Sequence, residues 1–217
     1  MRSMAAEYRR QPLPVAQVLD TGVRIAGALE TAHRAGVLHR DIKPSNILIT
    51  AIGAPVLADF GIAAALGGDG ADGDELLAMS IPWSSPEVLD EQTSGTVASE
   101  VWSLGATLYT LLAGRSPFVD PDRTRNECDR LVARIRRAKP SPIERDDVPP
   151  AVRGVLERTM QREPAKRHGS MLELAEELRW AQVAQARDDR GRGGRALGHG
   201  VAGRVVGIGG ARAGGLW

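Results

Sequence analysis

The stretch His39-Arg40-Asp41-Ile42-Lys43-Pro44-Ser45-Asn46-Ile47-Leu48 is followed, thirteen residues after Asn46, by Asp59-Phe60-Gly61. These residue types suit the transfer of a phosphoryl group. Charge on a moving phosphoryl has to be neutralised by cations and metal. Asn46 and Asp59 are oxygen ligands of the kind Mg²⁺ takes, with phosphates and waters completing the octahedron. Lys43 is a point charge two residues from Asp41, on the same side of an extended loop, and can hold a terminal phosphate. Asp41 is placed to orient and deprotonate an acceptor hydroxyl.

Something rigid has to hold these two loops together. Residues 47–50 and 55–58 are short apolar runs around Ala51-Ile52-Gly53-Ala54, which predicts a small β-hairpin between the two ligand-bearing loops. Upstream, Val18, Gly22, Ile25, Leu29 and Ala32 recur at three- and four-residue steps, predicting a helix over 15–35. Pro14 suits its start and Gly36 its stop. A second, strongly apolar helix is expected over 100–113, capped by Ser99 and ended by Gly114. Three more are expected at about 122–138, 150–160 and 170–186, the last opening on the capping pattern Ser170 to Glu173. Residues 1–14 read as a leader, 15–186 as the folded unit, and 187–217 as a disordered Gly/Arg-rich tail with 11 glycines.

Composition excludes several classes. Of 217 residues, 42% are hydrophobic and 25% charged, enough to build a core. The formal charge is +1, with +4 in residues 187–217 and hence −3 in residues 1–186. The folded part thus lacks the basic footprint of a nucleic-acid binder. Cys128 stands alone, so no internal disulfide is possible. No apolar run suggests a membrane span or signal peptide, and a cytoplasmic protein is expected. His33 and His39 are six residues apart across a helix end, which is poor metal spacing.

The stretch at 39–48 with Asp59-Phe60-Gly61 resembles the eukaryotic-type serine/threonine protein kinase family, in its bacterial branch. The resemblance continues. Ser80-Ile-Pro-Trp-Ser-Ser-Pro86-Glu87 is similar to the end of the family's activation segment. Glu100-Val-Trp102-Ser-Leu104-Gly105 is similar to its buried central helix motif, with Glu in place of Asp. Pro164-Ala-Lys-Arg167 is similar to the stretch carrying its late arginine. The resemblance implies a mainly α fold with a small β-hairpin, the kinase C-lobe. It also implies the cofactors ATP and Mg²⁺ and a protein substrate. By the same resemblance Asp41 is the catalytic base and Lys43 the γ-phosphate contact. Asn46 and Asp59 are the metal ligands, and Leu48 is the floor under adenine. His39 packs on Phe60, Arg40 grips an activation-segment phosphate, Ser80 bonds the catalytic loop, and Glu87 pairs with Arg167.

Family members also have an N-lobe with a Gly-rich loop, a strand lysine and a helix glutamate, all before the catalytic loop. Here 38 residues precede His39, and the earliest lysine is Lys43. The expected function is therefore Ser/Thr protein kinase, represented by a truncated catalytic domain of weak activity. The alternative is an inactive remnant serving as an interaction module. Residues 61–79 contain no Ser, Thr or Tyr, so Arg40 is expected either to stand unpaired in solvent or to be met by Asp69, Asp72, Asp74 or Glu75 in place of a phosphate.

Overall fold

The helix of the 15–35 pattern runs from Val15 to Arg34 (α2) and buries Val18, Leu19, Gly22, Ile25 and Leu29 on one face. Gly36, at φ 75°, reverses the chain after it, a conformation that costs a glycine little. The computed structural model describes residues 2–60 and 80–197. The acidic stretch proposed to face Arg40 lies outside them, as does the last part of the tail.

The hairpin forms as the apolar runs predict, from β2 (Ile47–Ile49) and β3 (Pro55–Leu57), with Ile47 opposite Leu57 and Leu48 opposite Val56. A third strand, β1 (Arg2–Ser3), was not expected and pairs antiparallel with β2. Residues 2–14 are thus part of the fold and not merely a leader. The helix α1 (Met4–Tyr8) follows β1, and the Met4 side chain is wholly buried, as is most of Leu13. The Ala5 N–H donates to the Pro44 carbonyl, and the Leu13 N–H to that of Leu111. Two apolar anchors in a polar stretch have no period to read, so this docking is a tertiary effect.

After the 3₁₀ turn Ile81–Trp83 and the short helix α3 (Pro86–Leu89) comes α4 (Val97–Ala113), the centre of the core. It begins three residues before the expected start. Thr96 is the cap, and Ser99 is the reciprocal partner in a capping box. Ser99 satisfies the Thr96 N–H, so it lies inside the first turn. Gly114, in the left-handed region, ends the helix. Trp102, Leu104, Leu108, Leu111 and Leu112 are all but fully buried. Gly105 lets Thr159 approach; a Cβ there would stand 1.9 Å from the Thr159 Oγ1.

The helices α5 (Cys128–Arg137), α6 (Pro150–Thr159) and α7 (Met171–Leu197) complete the element order. The expected helix at 122–138 starts later because Asp120, Asp122 and Asn126 fold residues 120–126 into side-chain-bonded turns. The expected boundary at 186 is also corrected, because α7 continues to Leu197. Extending an existing helix requires only propagation, not a new nucleus. α7 lies along α2 and against α6. No described helix is long and apolar enough to cross a membrane.

Candidate functional site

The hairpin brings the two loops of interest together. The Ala58 N–H donates to the Asn46 carbonyl at 2.8 Å, so Asp59 directly follows the residue bonded to Asn46. Arg40 and Asp59 both hold left-handed backbone conformations, φ 68° and 64°, which non-glycine residues seldom adopt. Such residues persist where surrounding contacts over-determine them.

Those contacts are visible around Arg40. His39 is completely buried between its two sides. Its Nδ1 accepts the Asp41 N–H at 3.3 Å. The ring proton therefore sits on Nε2, which donates to the Ala58 carbonyl at 2.7 Å. The ring also meets Phe60 edge-on, centroids 4.6 Å apart. His39 thus joins the loop of Asp41 to the loop of Asp59. The Arg40 N–H donates to Glu100 Oε1 at 2.6 Å. The Arg40 side chain is exposed, and its stem lies over Gly95.

Asp41 is the hub. Its Oδ1 accepts the Ser80 hydroxyl at 2.8 Å. Its Oδ2 accepts Asn46 Nδ2 at 2.9 Å and lies 2.9 Å from Lys43 Nζ. Lys43 Nζ also donates to Ser80 Oγ at 2.8 Å, closing a ring of three side chains. Asn46 spends its second amide proton on the Asp41 carbonyl, at 2.8 Å. Burial alone would raise the Asp41 pKa, but the bonds from Lys43, Ser80 and Asn46 outweigh it and hold the carboxyl below the usual aspartate range. Asp41 is therefore ionised at neutral pH.

The other expected residues are placed as follows. Leu48 is half-buried in the middle of β2, opposite Ser3 on one side and Val56 on the other. Asp59 is exposed. Glu87 and Arg167 form a bidentate pair at 2.6 and 2.8 Å, with the Arg167 side chain wholly buried. Arg167 also donates to the carbonyls of Gln161, Ala98 and Arg162 and lies over the Trp102 ring. Burial opposes ionisation of Glu87, but the Arg167 bonds prevail and keep its pKa low.

One group was missed. His33 Nε2 lies 2.6 Å from Glu100 Oε2, with both side chains buried. The longer Glu100 carboxylate therefore serves two partners, His33 at the end of α2 and the Arg40 amide. In the sequence, the only signal is a histidine six residues before His39, and nothing there links it to residue 100.

The protein kinase domain family model matches residues 3–180. Over 178 residues the chain is 43% identical to serine/threonine-protein kinase PknK of Mycobacterium tuberculosis, covering 80% of this chain and 15% of that protein. It is 32% identical over 169 residues to serine/threonine-protein kinase PknL of the same species, covering 78% of this chain and 41% of PknL. It is also 32% identical over 172 residues to ribosomal protein S6 kinase alpha-4 of Homo sapiens, covering 79% of this chain and 22% of that one. The matched region thus spans about 15% of the length of the PknK relatives. The family match over most of the chain, together with these identities, shows that it belongs to the protein kinase domain family, in its bacterial eukaryotic-type serine/threonine branch.

Proposed function

We propose that this chain carries the larger, helical lobe of an ATP- and Mg²⁺-dependent serine/threonine protein kinase, acting on protein hydroxyls. The observation that carries the reading is the closed ring of Asp41, Lys43 and Ser80, with Asn46 on its edge. In this reading Asp41 is the base. It is ionised, and Ser80 already occupies one of its oxygens with a hydroxyl donor, the same chemistry an acceptor Ser or Thr would present. Lys43 holds the γ-phosphate beside that acceptor, where its charge is close enough to stabilise the transferring group.

Asn46 and Asp59 suit Mg²⁺. Asn46 turns both amide protons to Asp41, so Oδ1, which accepts the Ser45 hydroxyl at 3.3 Å, is the ligand atom it can offer, and Asp59 is an exposed carboxylate on the adjoining loop. Two protein oxygens are what Mg²⁺ usually takes alongside phosphates and water. Among the described residues no group of three or more His, Cys, Asp or Glu offers an all-protein cage instead. When bound, the ion supplies charge neutralisation at the phosphates. Leu48 is the adenine floor. His39 and Phe60 fix the two loops, Arg40 faces the activation segment, and the Glu87–Arg167 pair anchors the end of that segment.

The test is transfer of label from ATP to a generic acceptor protein, together with thermal unfolding in Mg²⁺ and nucleotide. Transfer by these 217 residues is expected to be weak. They contain no Gly-rich phosphate loop ahead of His39, and loss of one preorganised electrostatic contact costs about 10²–10³ in rate. Asp41→Asn should abolish what transfer there is. Mg²⁺ with nucleotide should raise the melting temperature, and Asp59→Ala should remove that shift. Transfer indifferent to Asp41→Asn, or no Mg²⁺-dependent nucleotide shift, overturns the reading.

A further inference from the structure

The outward face of α7 carries an apolar stripe with no cover. Trp180 is 73% exposed, and Leu172 and Val183 are each 44% exposed, while Met171, Leu174 and Leu178 on the other side are fully buried. At about 100° per residue, Leu172, Glu176, Trp180, Val183 and Arg187 share a sector roughly 80° wide. An open tryptophan flanked by aliphatic side chains on one helix marks a contact surface. Glu176 and Arg187 lie on the same stripe, both exposed, and neither has an ion pair or side-chain hydrogen bond among the described residues.

The positions of these charges select the occupant. Consider two copies of α7 packed antiparallel about a two-fold axis level with Ala181 and Gln182. Position 176 of one copy then faces 187 of the other, and 180 faces 183. Each Glu176 meets an Arg187, and each Trp180 lies over a Val183, twice over by symmetry. The parallel arrangement sets Glu176 against Glu176 and Arg187 against Arg187, which is repulsive. The stripe is therefore self-complementary in one orientation only, as a two-fold interface between identical chains requires. We propose that α7 is a homodimer interface, seating α7 of a second copy antiparallel through Trp180, Val183, Glu176 and Arg187. A single pair of helices buries less than a standard interface, so the dimer is weak, with a Kd on the order of micromolar.

Sedimentation equilibrium of the full chain tests this. A concentration-dependent dimer is expected. Glu176→Arg and Arg187→Glu should each weaken it roughly tenfold, since each turns both cross-pairs repulsive. Mixing the two variants should restore association, because every cross-pair in the mixed dimer is again opposite in charge. Trp180→Ala should weaken it independently of salt. Circular dichroism on each variant separates lost pairing from lost folding, and the mixing rescue is readable only from folded partners. A chain that stays monomeric into the submillimolar range overturns the proposal, including the case where residues 198–217 of the same chain cover the stripe. So does association that ignores both charge reversals, or variants that fail to rescue each other.

Discussion

Glu100 receives His33 on one carboxylate oxygen and the Arg40 amide on the other, both at 2.6 Å. The end of α2, the start of α4 and the loop before Asp41 are thereby fixed by one side chain. Glu100→Ala strands the part-buried Arg40 N–H and the buried His33 imidazole nitrogen. Each unmet buried polar group costs about 1–3 kcal/mol, so the variant should be markedly destabilised. Glu100→Gln keeps an acceptor for Arg40 and should lose less. Urea unfolding midpoints, with amide exchange at Arg40, check both. Equal stability of Glu100→Ala and wild type would remove Glu100 from this role.

The Glu87–Arg167 pair is buried, and Arg167 donates to three carbonyls as well. Removing one partner of a buried pair costs about 3–5 kcal/mol because the other charge is stranded. Arg167→Ala should therefore be largely unfolded or insoluble, and Glu87→Gln, which keeps the shape, less damaged. A melting temperature unchanged in Arg167→Ala would sink the clamp.

Asp41 gives a pH signature. Its pKa is lowered in the folded chain, so the unfolded state holds the proton more tightly. The resulting stability is present above the ordinary aspartate pKa of about 3.9 and is lost as pH falls through the lower folded value. Lys43→Met removes a bond that lowers the pKa and leaves burial, so the Asp41 titration should move upward. Carboxyl carbon shifts followed by NMR measure it. A titration at the ordinary value in wild type would contradict the bonded geometry.

Gly105 and Thr159 form a contact with no room for a methyl group, the added Cβ falling 2.5 Å from the Thr159 Cβ and closer still to its hydroxyl. Overpacking of this kind costs about 1–3 kcal/mol or more. Gly105→Ala should lower the melting temperature sharply. Adding Thr159→Gly should recover part of the loss, a non-additivity that a double-mutant cycle detects. Additive losses would mean that the helices move apart without strain.

Much of this protein was legible in the sequence because its signals are local. The order and spacing from His39 to Phe60 pointed to a candidate site, and in the structure Asp41 bonds to Asn46, Lys43 and His39. The hairpin followed from two apolar runs, and α2 from its period. Both depend on neighbours a few residues away, which a sequence displays directly. Arg167 and Glu87 were legible only through resemblance, since 80 residues separate them.

Only the tertiary structure decided the rest. Residues 2–14 read as polar, yet Met4 and Leu13 find pockets made by other elements, and β1 finds an open edge of β2. Thr96, not Ser99, is the cap of α4, with Ser99 as its reciprocal partner in the capping box. His33 became part of the site because α2 ends beside α4. No periodicity records that distance, since a buried polar group is satisfied by whatever the fold brings within about 3 Å of it.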